Sequence, residues 1–344
     1  PKQLGEVLFE RLALPSGRKT SRGWSTDADT LEGLRGQHPA IEKLLEYRRV
    51  TKLNATYIVG LTEKIDRDGR VRSLFDQTAT VTGRLSSNEP NLQNIPVRTE
   101  EGRRIRRAFI ARPGWLLVDA DYSQIELRIL AHLSGDENMI DAFVKGQDIH
   151  ARTAAEVYGV PLEEVTPQMR SASKAVNFGI VYGISDFGLA RNIGVSRKEA
   201  AEFIERYFAR YPGVKRFMDS AVADGKALGC ARTMFGRRRP LPELQSSNYN
   251  IRSFGERAAM NTPVQGAAAD IIKLAMVRVY EALRAEKMQA RLILQVHDEL
   301  IVECPPDEAG RAEALLTGCM ENVAQLRVPL VADAHCAESW FDAK

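Results

Sequence analysis

Two short apolar runs, far apart in the chain, each lead to an acidic residue. Residues 115–118 run into Asp119 and Asp121, and the apolar residues around 292–302 flank the pair His297-Asp298. Runs of Leu, Ile and Val bounded by turn residues are typical of buried strands, and a two-residue polar break between two of them predicts a hairpin. The pattern predicts strands within 105–120, around a turn at 112–114, and within 291–303.

Most other residues follow a helical period. It predicts helices at 27–34, 39–57 and 124–133, over most of 138–230, and over 253–285 with an interruption near Pro263. The stretches 15–26 and 77–96 are rich in Gly, Ser, Asn and Pro and read as loops, and 291–340 alternates strand, helix and strand. A helical region between two strand regions predicts an α+β fold, with one sheet and an inserted helical subdomain.

Composition narrows the class of protein but does not identify a partner. The chain has 344 residues, 44% hydrophobic and 27% charged, which is ordinary for a globular protein of one or two domains. It contains no apolar run of about 18 residues, so no membrane span is predicted. Its four cysteines lack metal-ligand spacing and read as reduced, cytosolic thiols. The net charge of +3 is small, and the arginine clusters at 103–107 and 237–239 fit either phosphate contacts or a solvated surface.

The acidic residues at the strand ends are candidate metal ligands. Asp119 and Asp121 point to the same face of a strand, so spacing alone does not choose between them. Asp121 could equally cap the helix that follows, and Asp298 could be an ordinary turn residue. Taken together, however, Asp121 and Asp298 could hold Mg²⁺, which uses few protein carboxylates and completes its shell with water and phosphate.

A third pattern lies between them, where Arg170, Lys174, Phe178 and Tyr182 recur every four residues. On a helix these side chains lie close to one face, over roughly 18 Å, so two cations could bind a triphosphate and two aromatics a sugar and base. The alternative is an amphipathic helix with its aromatics in the core. Gly179 and Gly183 weaken that alternative because glycine destabilises a helix, and they predict close approach of a base pair.

These segments resemble the motifs of a known family. Residues 121–128 (DYSQIELR), 170–183 (RSASKAVNFGIVYG) and 295–299 (QVHDE) resemble motifs A, B and C of family A (polymerase I type) DNA polymerases. Residues 82–87 (TGRLSS) and 90–96 (PNLQNIP) resemble the loop that precedes motif A. The resemblance covers nearly the whole chain in the family's order.

The resemblance implies a catalytic centre that binds two Mg²⁺ ions, with Mn²⁺ as a possible substitute. Asp121 and Asp298 would be the catalytic metal ligands, with the Tyr122 carbonyl and Glu299 assisting, whereas Asp119 matches no motif position. Arg170 and Lys174 would bind the triphosphate. The remaining nucleotide contacts would be Gln124, Glu126, His150, Phe178 and Tyr182, with Glu126 excluding a ribose 2′-hydroxyl by clash.

The resemblance also implies contacts to a primer-template duplex. The minor-groove edge of every base pair presents shared acceptors, and side chains there would test the shape of a pair without reading its sequence. The expected DNA-binding residues are Lys52, Arg84, Asn91, Gln93, Asn94, Gln265, Gln295 and His297.

A right-hand polymerase architecture is the implied organisation. Its expected parts are a partial thumb and connection at 1–76, palm at 77–136, helical fingers at 137–252 and palm again at 253–344. The expected activity is template-directed DNA synthesis from dNTPs by a bacterial, cytoplasmic monomer. No proofreading exonuclease motif is recognised, and the thumb is expected to lack its first helices, so the alternative is a DNA-binding fragment with weak or lost activity.

Three other classes of protein compete with this interpretation. A single-subunit RNA polymerase would have to admit the 2′-hydroxyl that Glu126 would exclude. A two-metal nuclease or phosphatase would not need Arg170 and Lys174 in line with two aromatics. A catalytically inactive DNA-binding protein would be expected to lack Asp121 or Asp298, and both are present.

Overall fold

The computed structural model describes residues 1–15, 17, 19–21, 23–97 and 99–344. They form two compact units, and the smaller consists of Pro1–Leu74, Asn88–Asn91 and Ile95–Ile105. The larger consists of Phe75–Ser87, Leu92–Asn94 and Arg106–Lys344. Three residues of the predicted loop 15–26, namely Ser16, Arg18 and Arg22, lie outside the described part of the chain.

Regular elements are named in chain order. The α-helices are α1 (Lys2–Glu6), α2 (Ala28–Glu32), α3 (Pro39–Leu53), α4 (Gly60–Thr62), α5 (Glu100–Arg104), α6 (Ile125–Ser134), α7 (Glu137–Val144), α8 (Ile149–Tyr158), α9 (Pro167–Val181), α10 (Asp186–Ile193), α11 (Arg197–Arg210), α12 (Pro212–Leu228), α13 (Tyr249–Ala285) and α14 (Ala309–Glu321). The strands are β1 (Lys19–Thr20), β2 (Gly23–Trp24), β3 (Leu74–Asp76), β4 (Ser86–Asn88), β5 (Leu116–Tyr122), β6 (Cys230–Arg232), β7 (Arg238–Pro240), β8 (Arg291–Val296), β9 (Glu299–Cys304) and β10 (Ala332–Ala337). Helical turns of other types occupy Val7–Arg11, Asn54–Val59, Leu92–Asn94, Ile105–Ala108, Leu162–Glu164, Pro242–Gln245 and Pro306–Glu308.

The smaller unit is helical, with a small apolar core that includes Leu8, Leu31 and Ile41. Helix α3 begins as predicted, with Pro39 in its first turn and the His38 side chain accepting a hydrogen bond from the backbone N–H of Ala40. Helix α3 ends at Leu53, but helical backbone continues beyond the predicted end at 57, because a π-helical turn (Asn54–Val59) follows it and leads directly into α4. Strands β1 and β2 form a short antiparallel pair inside the predicted loop 15–26.

The larger unit is built on a four-stranded antiparallel sheet in the order β10-β5-β9-β8. Strands β5 and β9 are central and almost wholly buried, which explains the apolar runs 116–118 and 300–302 within them. Helices α13 and α14 contribute Val264, Ala268 and Leu316 to the same core as Val118 and Leu300. The sheet and the helices between β5 and β8 confirm the predicted α+β class.

Two local predictions were wrong. The region 105–115 does not form a second strand: Ile105–Ala108 is a 3₁₀-helix that continues α5, and Ile110 makes an isolated bridge to Ser339. Thr99 caps α5, and the acidic residues of the first turn stabilise the helix. Helical structure therefore extends into the arginine cluster at 103–107.

The second error concerns Pro263, which does not interrupt the long helix. Helix α13 runs without a break from Tyr249 to Ala285. The hydroxyl of Thr262 donates to the Ala258 carbonyl at 2.6 Å, next to the bond that proline cannot make. Burial of the surrounding turns in the core outweighs the local cost.

The region between β5 and β6 is helical as predicted for 138–230, with α7 to α12 following one another along it. Gly159, Gly194 and Gly229 end three of these helices in the left-handed conformation that glycine adopts readily. No helix in the described part of the chain is long and apolar enough to cross a membrane.

Candidate active site

Asp121 and Asp298 are brought together at one end of the central sheet strands. Asp121 is the next-to-last residue of β5, in register with Glu299 of β9 and Asp333 of β10. Asp298 lies in the two-residue turn between β8 and β9, where His297 has a positive φ of 53°. The backbone N–H of Tyr122 donates to the Asp298 carbonyl oxygen at 3.1 Å. The predicted hairpin is confirmed, and it fixes two carboxylates that lie 177 positions apart in sequence on adjacent backbone segments.

Burial raises the pKa of both Asp298 and Asp121, and neighbouring carboxylates add to the shift. Burial raises the pKa of Asp298 to about 6, and the Glu126 and Asp121 carboxylates add to the effect while Arg84 opposes it. Burial also raises the pKa of Asp121, although the Lys344 ammonium works against the shift. A positive charge placed between Asp121 and Asp298 would therefore favour their ionised forms.

Glu299 is held by a buried network that the sequence analysis missed. Its carboxylate accepts hydrogen bonds from the Trp340 indole and from Lys344, and Arg106 lies 3.5 Å away as an ion-pair partner. The Arg106 guanidinium also stacks over the Trp340 ring at 4.0 Å. Burial opposes ionisation of Glu299, but Lys344, Asp119 and Arg106 together hold its pKa below the usual value. Trp340 and Lys344 belong to no motif, so only the fold could reveal them.

Asp119 points to the same face as Asp121 but occupies a different environment. It is buried, and neither of its carboxyl oxygens accepts a hydrogen bond from the described residues. Burial and the neighbouring Glu299 carboxylate raise its pKa, so that Asp119 is held in the protonated form beside Glu299. Asp121 is the more exposed of the two and the one that a ligand can reach.

Glu126 links three elements of the site. It lies in α6 and is almost fully buried, and it accepts hydrogen bonds from Arg84 at 2.7 Å and from the Tyr182 hydroxyl at 2.8 Å. Burial and the Glu126 charge raise the pKa of Tyr182, and Gln265 lies close enough to affect that hydroxyl. Just before α6, Gln124 has a left-handed φ of 55°, and its side-chain oxygen is buried with no partner among the described residues. Backbone strain of this kind concentrates at functional sites.

Helix α9 carries the predicted row of cations and aromatics. Lys174 is exposed, and Arg170 pairs with Asp148 at 2.6 Å. The His150 ring lies 5.7 Å from that of Phe178, and His150 makes a 2.9 Å hydrogen bond with Asn177. Because Arg170, Lys174, Phe178 and Tyr182 recur every four residues along α9 and its C-cap, their side chains form one ridge along the helix.

Two partners of this ridge were missed by the sequence analysis, Asp148 and Asn177. Asp148 caps α8 through hydrogen bonds to the backbone N–H groups of His150 and Ala151. An acidic residue directly before a helical pattern is a signal that the sequence does carry. Asn177 is buried, and no local pattern distinguishes it.

The glycines of this region pack closely against other side chains of the protein, and the predicted approach of a base pair stays a prediction. A Cβ on Gly179 would lie 2.7 Å from the Ile184 side chain, so this glycine allows the turn after α9 to fold back. Gly183 has a φ of +66°, and a Cβ there would lie 2.8 Å from Met260 and 2.9 Å from Arg257. Both glycines are explained by the packing of the protein itself.

Several predicted DNA-binding residues share one small cavity of about 20 Å³. Arg84, Gln93, Gln295 and His297 line it together with Asp298. The Gln93 amide donates to the Gln295 side chain at 3.0 Å, and the Gln295 amide donates to the His297 carbonyl. Burial and the nearby Arg84 charge lower the pKa of His297, so this ring is neutral at pH 7.

The remaining predicted DNA-binding residues are distributed between the two units. Asn94 ends a short 3₁₀-helix of the larger unit, next to Gln93. Lys52 is exposed on α3, and it belongs with Asn91 to the smaller unit. Gln265 lies in α13, where its side chain is close to the Tyr182 hydroxyl.

The residues at the strand ends fit a hard divalent cation. A cation already lies there, because the Lys344 ammonium is 3.2 Å from Oδ2 of Asp121. In the described part of the chain no group of three or more His, Cys, Asp or Glu side chains forms a metal cage. Mg²⁺ takes few protein carboxylates and completes its shell with water and substrate oxygens. Asp121, Asp298 and the Tyr122 carbonyl remain the predicted ligands of such an ion.

Comparison with known proteins identifies the family. The model of DNA polymerase family A matches residues 1–342. The chain belongs to that family. Members of it generally depend on a divalent metal ion.

Individual relatives agree with this assignment. The chain is 56% identical over 346 residues to DNA polymerase I of Geobacillus stearothermophilus, and 53% identical over 346 residues to that of Bacillus subtilis. All of this chain is covered, but only 40% and 39% of those two proteins, so the chain spans about two-fifths of the length of these relatives.

A solved structure shows the same fold. The chain superimposes on the POL domain of Pol1 from M. smegmatis, in complex with DNA primer-template and dNTP, with a TM-score of 0.95 and 46% identity. The match covers 100% of this chain and 61% of that one. The predicted polymerase architecture of the α+β class is confirmed.

Proposed function

We propose that this chain catalyses template-directed DNA synthesis, in which a primer 3′-hydroxyl attacks the α-phosphate of a bound dNTP and pyrophosphate leaves. The observation that carries the proposal is the meeting of Asp121 and Asp298 at adjacent backbone positions, tied by the bond from Tyr122 N–H to the Asp298 carbonyl. Two carboxylates held this way are suited to a two-metal displacement at phosphorus.

Two Mg²⁺ ions, which Mn²⁺ could replace, would be held by Asp121, Asp298 and the Tyr122 carbonyl, and when bound they would activate the attacking hydroxyl and stabilise the leaving oxygen. The protein's own part is to fix these ligands on strand ends, where the sheet allows little movement. Glu299 would assist indirectly and not as a direct ligand, because both of its carboxylate oxygens accept hydrogen bonds from other side chains. One of these, Lys344, is held beside Asp121.

Binding of the nucleotide is assigned to α9 and α6. Lys174 and Arg170 would attract the triphosphate, with Arg170 exchanging its partner Asp148 for phosphate oxygens. Phe178 and Tyr182 would face the sugar and base, with His150 and Gln124 as neighbours. Glu126 is immobilised by Arg84 and Tyr182, so it would reject a ribose 2′-hydroxyl by clash and not move aside.

Binding of the primer-template is assigned to the polar groups next to the carboxylates. Arg84, Gln93, Gln295 and His297 lie around one cavity beside Asp298, where they could contact the minor-groove acceptors common to all base pairs. Gln265 and Asn94 would be further contacts of the larger unit, and Asn91 and Lys52 would be contacts made by the smaller unit. We further propose a partial thumb at 1–76, palm at 77–136 and 253–344, fingers at 137–252, and a monomeric state.

Extension of a labelled primer on a DNA template, with Mg²⁺ and all four dNTPs, tests the proposal. Wild-type protein should extend the primer in the order the template dictates, and Asp298→Ala should not. Asp307→Ala is the matched control, because Asp307 is an exposed carboxylate in the 3₁₀-turn that follows β9, at the opposite end of that strand from Glu299. Extension by Asp298→Ala at the wild-type rate would refute the assignment of the site.

A further inference from the structure

Lys344 occupies an unusual position for a lysine. Its ammonium lies 3.2 Å from Oδ2 of Asp121 and also donates a hydrogen bond to Oε2 of Glu299. Both carboxylates belong to neighbouring strands at paired register positions. The Lys344 ammonium therefore bridges Asp121 and Glu299, at the end of the sheet where the carboxylates are gathered.

We propose that the Lys344 ammonium is the resident counter-ion of the metal site: it holds Asp121 in the absence of a divalent cation, and binding of the cation displaces it from Asp121 while it stays on Glu299. This inference rests on the proposed function, because it assumes that Asp121 is a metal ligand. It adds a residue outside every sequence motif to the control of metal binding.

The burial of the two partners makes the displacement one-sided. The Glu299 side chain is only 3% exposed, whereas the Asp121 side chain is 43% exposed and that of Lys344 is 36% exposed. Glu299 is further held by Trp340 and Arg106, so it has no freedom to follow a ligand. Asp121 can turn to a cation from solvent, and Lys344 keeps its second partner when this happens.

The charge of Lys344 makes it a competitor of a divalent cation. The Lys344 ammonium makes ion pairs with both carboxylates, with Oε2 of Glu299 and, at 3.2 Å, with Oδ2 of Asp121. It therefore competes directly with a divalent cation for Asp121. Removal of the Lys344 ammonium would leave the negative charges of Asp121, Asp298 and Glu299 less neutralised. The site should then bind Mn²⁺ or Mg²⁺ more tightly.

The first test is Mn²⁺ binding to the protein without DNA or dNTP, measured from the electron paramagnetic resonance signal of free Mn²⁺. Lys344→Gln should bind Mn²⁺ about tenfold more tightly than wild type. Lys344→Arg, which keeps the charge, should stay near wild type. Lys198→Gln removes an exposed lysine on α11 and controls for net charge alone, so it should also stay near wild type.

The second test uses the wild-type protein and does not depend on a variant that folds. An amine-reactive reagent, followed by mass mapping of peptides, reports how accessible each lysine is. Labelling of Lys344 should rise several-fold when saturating Mg²⁺ is added, whereas labelling of Lys198 should not change.

The outcomes separate this inference from the proposed function. Asp121→Asn should abolish the tight Mn²⁺ binding, and if wild type and Asp121→Asn bind Mn²⁺ alike, the metal site and the role of Lys344 both fall. If Asp121→Asn does weaken binding but Lys344→Gln binds no more tightly than wild type, only the role of Lys344 is refuted. Unchanged labelling of Lys344 on addition of Mg²⁺ would also overturn it.

Discussion

The Tyr182 hydroxyl donates a 2.8 Å hydrogen bond to Oε2 of Glu126. Arg84 donates to the other carboxylate oxygen at 2.7 Å. Glu126 is thus fixed from both sides, by the residue that follows α9 and by the loop that precedes β4. A buried side chain held by two hydrogen-bond partners cannot move aside, so it restricts the shape of a ligand that binds next to it.

Replacement of Glu126 should relax the choice of sugar. We expect Glu126→Ala to raise the efficiency of rNTP incorporation relative to dNTP by on the order of a hundredfold, since the clash with the 2′-hydroxyl disappears. Efficiency with dNTPs should fall, because Arg84 and Tyr182 lose their common acceptor. Steady-state kcat/KM values for matched rNTP and dNTP pairs provide the measurement.

Tyr182→Phe is the control for this prediction, because it removes one hydrogen bond but leaves the Glu126 carboxylate in place. Its sugar discrimination should fall much less than that of Glu126→Ala. Unchanged discrimination in Glu126→Ala would show that another side chain excludes ribonucleotides.

The buried His150 ring makes folding stability depend on pH. Burial lowers the pKa of His150 to about 4, so the folded protein binds this proton more weakly than the unfolded chain, whose histidine has a pKa near 6.5. Stability from this group is complete above about pH 6.5 and is lost as the pH falls toward 4. Between pH 7 and pH 5 the loss should be about 2 kcal/mol.

Urea unfolding of wild type and His150→Gln at both pH values measures this effect. The free energy of unfolding should fall by less between pH 7 and pH 5 in His150→Gln than in wild type. Equal pH dependence in the two proteins would contradict the assignment of a buried, neutral ring.

Local patterns predicted the strand ends correctly because both signals are short-range. The apolar run before Asp121 and the two-residue break at His297-Asp298 each depend on a few neighbouring residues, and the structure has β5, β8 and β9 there. The row from Arg170 to Tyr182 follows in the same way from the helical period, and α9 with its C-terminal cap covers it.

Other features depend on distant residues, and sequence patterns could not reveal them. Lys344 reaches Asp121 across 223 positions, and Trp340 reaches Glu299 across 41. Pro263 looked like an interruption because the propensity of one residue does not include the burial of the turns around it. The close contacts of Gly183 with Met260 and Arg257 could not be predicted either, because those two side chains come from another helix.

A substitution at Gly183 tests this explanation by packing. We expect Gly183→Ala to destabilise the protein by roughly 2 kcal/mol or more, because it combines a positive φ with contacts below 3 Å. Gly146→Ala is the matched control, since Gly146 has a φ of +63° but a Cβ there would meet nothing within 4 Å. It should cost about 1 kcal/mol.

Thermal unfolding of the two glycine variants and wild type gives the comparison. Equal destabilisation by the two changes would mean that backbone conformation alone matters at Gly183. It would then remove the contacts with Met260 and Arg257 as the reason for this glycine.

Lys174 should contribute to substrate binding without contributing to stability. It is exposed on α9, so Lys174→Ala should change the free energy of unfolding by less than about 0.5 kcal/mol. Its kcat/KM for dNTP should nevertheless fall by tenfold or more, about 1.4 kcal/mol, because a charge-assisted contact to the triphosphate is lost. Lys198→Ala on α11 should change neither quantity, and a Lys174→Ala protein with normal kcat/KM would remove α9 from the nucleotide site.

The most direct test of the central claim is a single-turnover measurement of one nucleotide added to a primer-template, at saturating Mg²⁺ and dNTP. Wild type, Asp121→Asn and the control Asp307→Asn would be compared, with binding of the primer-template measured for each. We predict that Asp121→Asn binds the duplex normally but adds the nucleotide at least about a thousandfold more slowly, while Asp307→Asn behaves as wild type. Nucleotide addition by Asp121→Asn at the wild-type rate would contradict the claim that Asp121 and Asp298 form the catalytic centre.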